Sequence, residues 1–68
     1  MSYSAVIKQQ KGMWVGWVTE IQGVNAQEET REELLASLLV SLVKAVEHNR
    51  RDALKLIGNG YEVVQLSP

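Results

Sequence analysis

The 68-residue chain has no cysteine and a single histidine, His48. Without thiols there is no disulfide and no thiolate metal site, and one imidazole does not supply the ligand set of a structural zinc. No run approaches the roughly 18 to 20 apolar residues that span a bilayer. The opening Met1-Ser2-Tyr3-Ser4-Ala5-Val6-Ile7-Lys8 lacks a basic stretch followed by a long apolar core. No signal peptide is read there, and a cytoplasmic location is expected. Neither sign of charge is in excess: Lys+Arg 7 against Asp+Glu 8 give a net charge of −1, and the one basic pair is Arg50-Arg51. That balance argues against a phosphate-neutralising nucleic-acid surface. It leaves docking onto a basic protein open.

Catalytic constellations are missing as well. There is no Gly-x-Ser-x-Gly elbow, and no nucleophile–base pair can be assembled around His48. The strands offer only Glu20 and Glu62, fewer acids than two-metal phosphoryl chemistry needs. Gly58-Asn59-Gly60 precedes an expected strand, whereas phosphate-cradling glycine loops precede a helix. A non-enzymatic chain without cofactor or metal is the expectation.

What is present is a single domain over residues 1–68, 46% hydrophobic and 22% charged. A core this small supplies only a few kcal/mol, and oligomerisation is a common remedy. The most telling stretch is Met13-Trp14-Val15-Gly16-Trp17-Val18. Successive strand residues point to opposite faces, so Met13, Val15 and Trp17 share one face and Trp14, Gly16 and Val18 the other. Both faces are apolar. One helix can cover only one of them, so the other asks for a second polypeptide.

Residues 3–8 and 13–20 read as an antiparallel hairpin around the loop Gln9-Gln10-Lys11-Gly12, followed by a short third strand at 24–27. Gly16 inside a strand is accounted for by a large neighbour packing over the missing side chain, the alternative being a ligand role. Thr30-Arg31-Glu32-Glu33 is a capping box: the Thr30 hydroxyl accepts from the Glu33 N–H, and the Glu33 carboxylate reaches back to the Thr30 N–H. Glu28, Glu29, Glu32 and Glu33 are accounted for by the positive end of the helix dipole. The helix then carries Leu34, Leu35, Leu38, Leu39, Leu42, Val43 and Val46 as one wide apolar stripe, opposite Glu33, Ser37, Ser41, Lys44 and His48. His48 is expected near its end, interacting with the dipole or with water. The stripe keeps its phase to Ala53, Leu56 and Ile57.

A single helix over residues 31–57 would be ~40 Å long, against ~28 Å for a compact domain of this size. Either the end projects and another chain covers it, or the helix breaks. Asn49-Arg50-Arg51-Asp52 offers a second N-cap, so a break after His48 and a short helix over 50–57 are expected, with Gly58 as its C-terminal stop. Residues 61–66 read as a last strand.

The order strand, strand, short strand, helix, short helix, strand resembles the HicB family of small antitoxin-like proteins. The residues that carry the likeness are Tyr3, Gly12 before Trp14-Val15-Gly16-Trp17-Val18, the turn Thr19-Glu20-Ile21-Gln22-Gly23, and Thr30-Arg31-Glu32-Glu33-Leu34. Short members of the family are similar also at Ile21-Gln22-Gly23-Val24-Asn25 and Asn49-Arg50-Arg51-Asp52-Ala53-Leu54. Thr19 and Gln22 stand where the family's turn has prolines. The resemblance covers nearly the whole chain and implies a truncated ribonuclease-H-like α/β (α+β) fold: a mainly antiparallel three- to four-stranded sheet with one long helix on one face. It also implies an antitoxin that masks a HicA-type messenger-RNA-cleaving toxin by protein binding. Longer relatives append a DNA-binding region; these 68 residues carry none, so operator binding is not expected.

Trp14, Trp17 and Glu20 are the candidate partner contacts, since large aromatics dominate interface energies. Both indoles could instead fill the core or a homodimer seam. The competing function is a solitary oligomeric HicB-like adaptor or structural domain with no toxin. Fold alone does not license a nuclease.

Overall fold

Strand β1 (Ala5–Gln10) runs into strand β2 (Met13–Val18) through Lys11-Gly12 alone. Both loop residues have positive φ, 53° and 79°, the geometry of a type I′ turn whose twist matches that of the strands it joins. The expected four-residue loop is therefore two residues long, and Gln9 and Gln10 pair in the ladder opposite Trp14 and Met13. Glycine suits the second position because it meets no steric cost at positive φ. The computed structural model describes residues 2–66.

Strand β3 (Asn25–Glu28) pairs with the other side of β2, giving an antiparallel sheet in the order β1-β2-β3. It starts one residue later than the sequence suggests, because Val24 turns inward and is buried while its carbonyl accepts from the Val18 N–H at 2.9 Å. Helix α1 (Arg31–Ile57) then crosses one face of the sheet. Thr30 caps it, its hydroxyl accepting from the Glu33 N–H at 3.1 Å. The same hydroxyl donates to the Glu33 carboxylate at 2.9 Å, so the return contact is side chain to side chain rather than to the Thr30 N–H.

Two expectations fail at the C-terminal end. The helix does not break at Asn49; it runs 27 residues without interruption. No glycine or proline lies between Arg31 and Ile57, and an asparagine inside a helix costs only about 0.7 kcal/mol. A break would instead strip up to four N–H and four C=O groups of their partners. His48 consequently sits well inside the helix and pairs with Asp52 one turn on, at 3.1 Å. That exposed pair contributes little. The helix stops at Gly58, whose N–H donates to the Leu54 carbonyl at 3.2 Å. The second failure is the fourth strand: residues 61–66 have no regular structure. The unbroken helix carries them past the end of the sheet, where they lie against Arg50, Ala53, Leu54 and Ile57.

The core is small. Val18, Val24, Leu34 and Leu38 are its buried residues, with Ile7, Trp14, Ile21, Ala26, Leu42 and Ala45 packed partly against them. Gly16 is buried between β1 and the helix, as the apolar pattern requires: a Cβ there would meet Ile7 Cγ2 at 2.8 Å, the Val6 carbonyl oxygen at 3.0 Å and Leu38 Cδ1 at 3.2 Å. The Val6 oxygen belongs to the backbone and cannot give way without disturbing the ladder. Gly16→Val is expected to lower stability by about 1–3 kcal/mol through overpacking, measured by urea unfolding against Gly12→Ala, which meets no atom but forces a left-handed residue.

Candidate functional site

Register fixes what each sheet face displays. Opposite the helix, Trp17 stands across from Val6 on one side and Asn25 on the other; Val15 stands between Lys8 and Gln27, and Met13 opposes Gln10. Val6, Lys8, Val15 and Trp17 border a shallow apolar depression of about 100 Å³. Trp17 is 53% exposed and Val6 55%. Among the described residues, no helix or strand packs over this face. An apolar centre ringed by Lys8, Gln10, Asn25 and Gln27 has the layout of a protein-binding patch, with a dry middle and a polar rim.

The three candidate residues do not converge. Trp14 lies on the helix side, across from Gln9 and Glu28, and packs against the core. Trp17 points the other way, and of the two indoles it is the one available to a partner. Glu20 lies beyond the end of β2, where its carboxylate accepts from the Ser4 N–H at 2.7 Å. With the Thr19 N–H donating to the Ser4 carbonyl at 3.0 Å, this ties the start of β1 to the end of β2. The Ser4 N–H holds the Glu20 carboxyl below its ordinary value, although the group faces water. Because the folded state prefers the ionised form, this tie is in place at neutral pH and weakens as pH falls through the carboxylate range.

A second apolar surface lies on the helix. Leu34, Leu38, Leu42 and Ala45 form the row that meets the sheet, while the adjoining row of Leu35, Leu39 and Val43 overhangs it. Leu39 is 61% exposed. The single wide stripe of the sequence is thus wider than the sheet covers. Part of the uncovered surface lies on the β1 side, where Tyr3, Ala5, Leu35, Leu38, Leu39 and Leu42 line an open groove of about 150 Å³. The β3 side is more polar: Ser37 and Ser41, with Ala36 and the exposed Val40, border an opening beside Ala26, Gln27 and Glu28, and the Ser37 hydroxyl donates to Glu28 at 2.6 Å.

Among the described residues no group of three or more His, Cys, Asp or Glu is placed to hold a metal ion, and no helix is long and apolar enough to cross a membrane. No polar or charged residue among them is buried. In comparison with known proteins, no family model, no curated protein and no solved structure matches the chain.

Proposed function

We propose that this chain is the antitoxin of a HicA/HicB-type pair, binding a small basic toxin and covering its messenger-RNA-cleaving site. The supporting observation is the open sheet face centred on Trp17, flanked by Val6 and Val15. The chain's resemblance to HicB proteins supplies the partner's identity; the face supplies a means of holding it. Inhibition in this reading is steric, and the antitoxin makes and breaks no bond.

Co-expression with a HicA-type protein encoded beside it tests the proposal. A stable complex and rescued growth are the expected result. Trp17→Ala should weaken the complex by about 30-fold or more, the effect of losing a central aromatic anchor, with the helix signal of the free chain unchanged. Trp14→Phe, on the covered face, should leave binding intact. Absence of any complex would overturn the proposal. The second reading, a solitary oligomeric domain without a toxin, is favoured by the exposed helix row of Leu35, Leu39 and Val43, which calls for a partner irrespective of any toxin.

A further inference from the structure

The chain exposes 5807 Å² of accessible surface, whereas folded monomers of 7.6 kDa expose about 4,300 Å². Its radius of gyration is 15.1 Å, against about 11 Å for a compact domain of 68 residues. The excess, on the order of 1,500 Å² per chain, is what an obligate dimer buries from each partner.

Two features show where that surface belongs. First, β1 is an edge strand, so the backbone groups along its outer side pair with no strand among the described residues. Beneath that edge runs the open groove of Ala5, Leu35, Leu39 and Leu42. A fourth strand beside β1 would satisfy the edge and cover the groove together. Second, the chain carries a strand-like segment with no sheet to join. Tyr61-Glu62-Val63-Val64-Gln65-Leu66 is rich in β-formers, Val63 and Leu66 are 71% and 85% exposed, and none of the backbone–backbone hydrogen bonds among the described residues involves it. It is six residues long, as β1 is. In either phase of strand alternation it presents two large apolar side chains to each face: Tyr61 and Val63 to one, Val64 and Leu66 to the other. The site beside β1 is apolar on both sides, with Leu35 and Leu39 beneath and Val6 and Trp17 above.

The segment does not fill its own groove. It folds back as far as Arg50, still about 16 Å along the helix from Leu39 at 1.5 Å per residue. We propose that residues 61–66 of each chain add to the β1 edge of a second copy, so that two copies related by a two-fold axis exchange their C-terminal strands. The second half of each helix then lies over the other's Leu35–Leu39 row, and the projecting ends become the seam. The exchange is reciprocal, as a two-fold interface requires. It leaves the Met13–Trp17 face outward and does not rest on the toxin reading.

The purified chain alone tests this, since it has no native cysteine to interfere. A Leu39→Cys variant is mixed and refolded with each of four single variants, Glu62→Cys, Val63→Cys, Val64→Cys and Gln65→Cys, under mild oxidation. Disulfide-linked heterodimers are expected at alternate tail positions, the signature of a strand. In the combined Val63→Lys and Val64→Lys variant, which charges both faces of the tail, the dimer should dissociate into monomer. The proposal is overturned by an intrachain disulfide in a monomeric Leu39→Cys, Val64→Cys double variant, by the absence of heterodimer at every position, or by a dimer that survives the double lysine change.

Discussion

Leu34→Ala is expected to abolish the cooperative unfolding transition of this protein, leaving a chain that melts gradually or is unfolded at room temperature. Among the described residues Leu34 is the one large side chain with no exposed surface, and it sits at the first turn of α1, where helix, β2 and the Val24 turn meet. Truncating a buried leucine costs about 2–5 kcal/mol, with the spread set by how far the site collapses. A core in a domain this short rarely supplies more than about 3–5 kcal/mol in total. The loss therefore rivals the whole, which a larger domain would absorb. Leu34→Met keeps the volume and should cost less than about 1.5 kcal/mol. Thermal melts followed by circular dichroism separate the two. A sharp, scarcely shifted transition in Leu34→Ala would mean that stability resides elsewhere.

The second large effect is a dependence of stability on concentration. Four buried hydrophobic side chains among the described residues are a poor foundation for a 27-residue helix whose second half lies beyond the sheet. If the missing contacts come from another copy, folding and association are one equilibrium, and each hundredfold dilution lowers the apparent stability by about 2.7 kcal/mol. For two chains of this length that moves the melting midpoint by roughly 10 °C. A midpoint independent of concentration over that range would show that the lone chain carries its own stability.

Much of this was legible in the sequence. Alternation in Met13–Val18 placed Trp17 and Trp14 on opposite faces, and the structure keeps both assignments. The Thr30 cap and the start of the helix follow from local chemistry, which acts over a few residues and needs no knowledge of the rest; the packing over Gly16 was signalled by the missing side chain, but its partners Ile7 and Leu38 come from distant parts of the chain. What could not be read locally was the fate of residues 49–66. The Asn49 cap signal is real, but it competes with continuous backbone hydrogen bonding that nothing interrupts. Once the helix continues, the tail loses access to its own sheet, so one local choice decides two expectations.

The candidate contacts show the same limit. Alternation put the two indoles on opposite faces, both apolar, and gave no ground to prefer one; only the packing of the helix leaves Trp17 as the exposed one. Glu20 was named beside the indoles without a local signal of its own, and the structure places its carboxylate on the Ser4 backbone. The overhanging row of Leu35, Leu39 and Val43 was visible as part of the stripe, yet its excess over the width of three strands appears only when the strands are counted in place. That count is the signal: an apolar arc wider than the sheet beneath it.

If one copy of this chain is an incomplete structure, its exposed apolar surface belongs against another polypeptide. Light scattering on the purified full chain, across a dilution series from millimolar to micromolar, is the most direct test. The prediction is a mass of about 15 kDa, twice that of the 7.6 kDa chain, falling only on dilution and with loss of helix signal. A monodisperse species of 7.6 kDa that stays helical at every concentration would contradict it.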